Sequence, residues 1–132
     1  MDTGRSQPRY PAAAPIDAYG NGGFRFAGMS HRGSLLCLPD AVEAWEVSGA
    51  DEISPRTLAP LLARHSDLDL AILGTGETLV VPSADVRAAF ISAGVGLEFM
   101  ATGAAARTYN MLLAEGRRVA AALIAVDRTR GA

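Results

Sequence analysis

From residue 68 onward the apolar residues form short unbroken runs, separated by stretches that repeat at helical spacing. "LDLAIL" (68–73) is almost wholly apolar, as a strand covered on both faces must be, and belongs in the middle of a sheet. "TLVV" (78–81), "GLEFM" (96–100) and "VAAALIAV" (119–126) read as further short strands. Between them, "PSADVRAAFISAG" has Val86, Ala89, Phe90 and Ala93 at core spacing, Ser83 as N-cap and Gly94 as the C′ stop. "TGAAARTYNMLLAEG" reads as a helix capped by Thr102 and stopped at Gly116, with Ala105, Tyr109, Leu112 and Leu113 on its buried face. Strands alternating with helices of this length predict right-handed βαβ crossovers and a largely parallel arrangement.

The first half has a different rhythm. "IDAYGNGGFRF" sets Asn21-Gly22, the pair that best tolerates positive φ, between residues 16–19 and 24–26, which predicts a β-hairpin. "GSLLCLP" and "AVEAWEV" predict two more strands, broken at Pro39-Asp40. In "SPRTLAPLLARHS", Leu58, Leu61 and Leu62 have helical spacing. Pro60 would lose a hydrogen bond if Ser54 were the N-cap but none with Thr57 there, so the regular helix is expected to start near Thr57. The fold class expected is α/β: a single domain over residues 14–127 with parallel βαβ units and antiparallel N-terminal strands. Residues 1–13 and 128–132, polar or rich in Pro, Ala, Gly and Arg without periodicity, read as mobile tails.

Composition narrows the function. The chain has 132 residues and a net charge of −2 from 12 basic and 14 acidic side chains, without the basic footprint of a nucleic-acid binder. Every basic residue is Arg, which excludes a Schiff-base lysine and the phosphate-binding lysine of a P-loop. Cys37 is alone, and His31 and His65 are far apart in sequence, so neither a disulfide nor a metal site is expected, and no cofactor is implied. The longest apolar run, at 119–126, is far short of the roughly 20 residues that span a bilayer, which predicts no transmembrane segment. With no apolar leader at the start, a cytoplasmic location is expected.

The candidate site follows from the topology. If the strands ending at Leu73 and Met100 are parallel neighbours, Gly74, Thr75 and Gly76 emerge beside Ala101, Thr102 and Gly103 at the carboxyl edge of the sheet, where open α/β sheets bind ligands. The helix starting at Thr102 offers amide N–H groups and a positive dipole end, and its first turn, Gly103-Ala104-Ala105-Ala106, has no acid. Arg107 and Asn110 share a face with Gly103 and lean toward the same mouth. A small anion therefore fits, and so does a plain turn that needs positive φ at glycine. A dinucleotide does not fit, because Leu79 stands where a third glycine would be and no helix follows directly. Glu98 interrupts an apolar strand. On a covered face it would be an acid-base candidate, and on an edge it would be a solvated carboxylate. Ser30-His31 lacks an orienting acid and is a weak nucleophile-base pair. Trp45 and Phe90 read as core, and Cys37 as an inert buried thiol.

"GNGGFRFAG", "LAILGTGE" and "GLEFMATGAAARTYNMLLAEGRRVAAALI" together resemble the Mth938-like family, which includes the mitochondrial respiratory complex I assembly factor 3. The resemblance covers about residues 16–126. Its most specific part contains Met100, Thr102, Ala105, Arg107, Tyr109, Asn110, Leu112, Glu115, Gly116 and Arg117. It implies a three-layer α/β domain with a mixed central sheet, and a non-enzymatic assembly or interaction factor with a protein partner and peripheral contact with the inner membrane. The alternative is an enzyme or binding protein for an anionic small molecule in the same cleft.

Overall fold

The computed structural model describes residues 9–127. Among the described residues, nine strands and three α-helices follow in order: β1 (Arg9–Tyr10), β2 (Ala18–Gly20), β3 (Gly23–Phe26), β4 (Met29–Arg32), β5 (Ser34–Leu38), β6 (Ala41–Trp45), α1 (Ala59–Leu62), β7 (Leu70–Gly74), α2 (Ala84–Ala93), β8 (Gly96–Met100), α3 (Thr102–Ala114) and β9 (Val119–Leu123). Six strands form one mixed sheet in the order β1-β6-β5-β9-β7-β8, and β2, β3 and β4 form a separate antiparallel sheet. The α/β class, with parallel units and antiparallel N-terminal strands, is thus present as expected. β9 is parallel to β7, with Ala121 opposite Ile72, and β7 is parallel to β8, with Ile72 opposite Glu98. β5 runs antiparallel to both β9 and β6.

The large sheet separates two cores. On one face Tyr109 and Ala105 of α3 pack with Phe24 and Phe26 of the small sheet against Cys37, Ile72 and Leu123. On the other, Leu58, Leu61, Val86 and Phe90 cover Leu36, Leu73 and Ala122. β9, flanked by β5 and β7 and covered on both faces, is buried at every position. The small Ala121 lets α3 approach its face of the strand closely.

Local signals account for most boundaries. Asn21 (φ 53°) and Gly22 (φ 78°) make the hairpin turn, with Gly20 paired to Gly23. The Ser83 hydroxyl accepts from Val86 N, and Gly94 closes α2 in the left-handed region at φ 75°.

Other expectations are corrected. Residues 78–81 are not a strand: the Val80 amide is satisfied by the Thr75 hydroxyl (3.0 Å), and all four residues are exposed. Thr57 does not cap a helix. It accepts from Ser54 N (2.9 Å) and its own amide donates to Ser54 Oγ (3.1 Å), forming a tight turn ahead of a short α1 whose N-cap is Leu58. Thr102 is the first residue of α3, and Ala101 is its N-cap. A second hairpin was not expected: Ala27 (φ 51°) and Gly28 (φ 76°) turn the chain between β3 and β4, so Ser30 and His31 lie on a strand. Residues 9 and 10, expected in a tail, pair with Glu43 and Val42, and Tyr10 packs edge-on against Phe26. The rest of the two expected tails, residues 1–8 and 128–132, lies outside the described residues.

Candidate functional site

Parallel pairing of β7 with β8 brings Gly74 opposite Met100, so the loops after the two strands leave the sheet together. They then lock to each other. Thr75 N donates to Met100 O (2.9 Å), Thr102 N donates to Gly76 O (2.8 Å), and Gly76 N donates to the Thr102 hydroxyl (3.0 Å). That hydroxyl in turn donates to Ile124 O (2.7 Å), and Thr102 is fully buried. The Thr75 hydroxyl donates to Thr78 O (2.7 Å) and shapes the next turn. Thr75, Gly76 and Thr102 therefore build the loop floor with the amides expected to face a ligand.

The glycines have separate roles. A Cβ on Gly74 would come within 3.1 Å of Ala105, Leu123 and Thr102, so this glycine lets α3 approach β7. Gly76 has φ +109°, which disfavours a side chain. Gly103 lies under the Tyr19 phenol, whose ring carbon Cζ would stand 2.9 Å from a Cβ there. The opening of α3 is therefore roofed by a residue from the small sheet.

A hollow of about 310 Å³ remains, lined by Tyr19, Gly76, Glu77, Gly103, Ala104 and Arg107 among others. Three sequence candidates, Gly76, Gly103 and Arg107, meet there. Asn110 does not join them: its side chain accepts from Ile16 N (2.8 Å) and donates to Ile16 O (2.7 Å), clamping the start of the domain to α3. Sequence reasoning missed Tyr19 and Glu77. Glu77, whose carboxylate accepts from Asp127 N (3.1 Å), puts negative charge at a mouth expected to favour anions. Tyr19 reaches the site from a strand far away in sequence, and no local spacing signals that.

Glu98 is exposed on the edge strand β8, so the covered-face condition for acid-base chemistry is not met. On β4, Ser30 is exposed and His31 buried, so successive side chains point to opposite faces and make no dyad. His31 Nε2 lies 3.2 Å from Ser34 O, and burial holds its pKa below the usual histidine range. Cys37 is fully buried, and burial pushes its thiol up to about 12. Trp45 donates to Thr57 O (2.7 Å) from within the core, and Phe90 is also buried there. A larger groove, about 650 Å³, runs past Trp45, Glu43 and Pro60, with an Arg56–Glu46 ion pair (3.2 Å) at its rim. Among the described residues no helix is long and apolar enough to cross a membrane.

Comparison with known proteins places this geometry in a family. An outer membrane protein from Bartonella henselae matches with a TM-score of 0.86 and 42% identity, covering 89% of this chain and 99% of its own. A Mth938-like domain from Bordetella pertussis matches with a TM-score of 0.76 and 26% identity, covering 88% of each chain. The mouse protein NADH dehydrogenase [ubiquinone] 1 alpha subcomplex assembly factor 3 is 30% identical over 118 residues, 89% of this chain. The chain spans 64% of that relative's length. A family model described as "Protein of unknown function (DUF498/DUF598)" matches residues 16–124. On these matches and the shared fold, the chain belongs to the Mth938-like (DUF498/DUF598) family.

Proposed function

We propose that the chain is a non-enzymatic assembly factor that docks on a protein partner through residues 78–81. The observation that carries this reading is an outward-facing apolar segment held in a fixed conformation. Leu79, Val80 and Val81 are 54%, 41% and 59% exposed, yet the Thr75 hydroxyl binds Thr78 O and Val80 N and pins the segment from beneath. Three adjacent apolar side chains fixed toward water lose little conformational entropy when a partner covers them. The similarity to an assembly factor for NADH dehydrogenase supports a subunit of that enzyme as the partner. In this reading the two meet at the cytoplasmic surface of the inner membrane. A photo-crosslinking residue in place of Leu79 is expected to capture an NADH dehydrogenase subunit, while the same residue at exposed Glu115 does not. Absence of such a subunit from the Leu79 adduct would overturn the reading.

A second reading is favoured by Arg107, which is exposed and borders the hollow at the start of α3 together with the Gly103 and Ala104 backbone. Here the chain holds an anionic small molecule, as a binding protein or an enzyme. Arg107→Ala then lowers affinity for a carboxylate or phosphate probe about tenfold or more, a loss of roughly 1.4 kcal/mol or more, and leaves the fold intact. Equal affinity in the variant would remove this reading.

A further inference from the structure

The small sheet turns one face inward and one outward. Strand alternation sends Tyr19, Phe24, Phe26 and His31 into the core, leaving Ala18, Gly20, Gly23, Arg25, Ser30 and Arg32 on the other face. Arg25 is paired with Ser30, and Gly23 with Arg32, so the two arginines are diagonal neighbours on adjacent strands. Such positions stand about 7–8 Å apart, and two long side chains can converge on one group from there. Gly23 lets the two strands close up beside them, since a side chain there would run into the His31–Arg32 backbone. The result is a hollow of about 510 Å³, distinct from the cleft at the start of α3, although Tyr19 borders both.

The arginines here carry no ion pair among the described residues. Arg56, Arg64 and Arg118 are each met by a carboxylate at 2.7–3.2 Å. Arg25 and Arg32 have no ion-pair partner among the described residues, and no acidic side chain lines the hollow. Asp127 comes close to Gly22, with its Oδ1 3.8 Å and Arg32 Nη1 3.9 Å from the point a Cβ would occupy, but it makes no ion pair with Arg32. Two neighbouring guanidinium groups repel each other, and no direct ion pair within the described residues offsets that repulsion. A bound anion supplies one.

We propose that this hollow binds a phosphate group, carried by a small phosphomonoester or by a lipid headgroup. The planar guanidinium forks suit phosphate oxygens bidentately, and the Ser30 hydroxyl, directly across from Arg25, adds a donor. The Asn21 side chain at the hairpin turn supplies a further donor at the rim. The volume is that of a small-molecule site.

The test uses the full chain in two arms. In the first, NMR follows the Arg25 and Arg32 side-chain Nε–H signals and the Ser30 amide during titration with inorganic phosphate and glycerol 3-phosphate, with sodium chloride at matched ionic strength as the control. In the second, sedimentation compares vesicles of phosphatidylcholine with vesicles containing phosphatidylglycerol. The expected result is saturable shift at those groups with a phosphate probe, or sedimentation that requires phosphatidylglycerol, weakened about tenfold by Arg25→Ala and by Arg32→Ala. Binding in the vesicle arm alone assigns the phosphate to lipid, and binding in the soluble arm assigns it to a free ester. The proposal fails if neither arm shows binding, if chloride reproduces the shifts, if the variants bind like the parent, or if the shifts localise to Gly103, Ala104 and Arg107. Both arginines are exposed, and unchanged amide spectra elsewhere verify that the variants are folded.

Discussion

Asn110 shows how one side chain can join two ends of a chain. Its amide group satisfies both the N–H and the C=O of Ile16, 94 residues away, using the planar donor-acceptor pair that only Asn and Gln offer. Asn110→Ala leaves both half-buried backbone groups unmet and is expected to lower unfolding stability by about 1–3 kcal/mol, measured as the urea midpoint at constant m. An unchanged midpoint would show that water replaces the clamp. Cys37 gives a prediction in pH. Burial raises its native pKa from 9.0 to about 12, and Tyr109 beside it is raised as well. The unfolded chain therefore releases protons that the native state retains. Stability is full below pH about 9 and falls by roughly 1.4 kcal/mol per pH unit for the thiol until the native thiol ionises as well. Comparing urea midpoints of parent and Cys37→Ala from pH 8 to 10.5 should show the parent losing its relative stability as pH rises. Parallel curves would contradict the burial of the thiol.

At the scale of elements, the edge strand β8 carries a guard. β7 takes the hydrogen bonds of Gly96 and Met100 (Gly96 N to Asp69 O, Thr75 N to Met100 O), so by ladder alternation the backbone groups of Leu97 and Phe99 point to the free edge. A symmetric antiparallel pairing of two copies through those groups would set Glu98 against Glu98 in the close, non-hydrogen-bonded position, where like charges repel. Glu98→Val is expected to self-associate where the parent does not, and sedimentation velocity reads the difference. An unaltered monomer in the variant would mean that something other than charge guards the edge. The opening of α3 makes a similar point through shape. Gly103→Ala pushes a methyl group into the Tyr19 phenol, and Tyr19→Phe is expected to recover part of the lost stability. A double-mutant cycle with no coupling would place the clash elsewhere.

Across the molecule, legibility divided by range. α2 could be read from Ser83, Phe90 and Gly94, and the first hairpin from Asn21-Gly22, because those signals act within a turn or two. The second hairpin could not, since it bends at Ala27, whose φ of 51° is rare for a residue with a side chain. "TLVV" has strand composition, but a hydroxyl from Thr75 takes the amide that a ladder would need. The candidate cleft was legible as far as parallel strands bring two loops together. Its contents were not: Tyr19 and Ile16 arrive from the N-terminal region, where Tyr19 packs over Gly103 and Ile16 takes up the Asn110 side chain expected to face a ligand.

If the proposed docking through residues 78–81 serves assembly of NADH dehydrogenase, cells lacking this chain should hold less of the assembled enzyme. The expected result is a deficit on native gels that the parent chain restores and a Leu79→Ser/Val81→Ser variant, folded by its amide spectrum, does not. Equal amounts of assembled enzyme with and without the chain would contradict it.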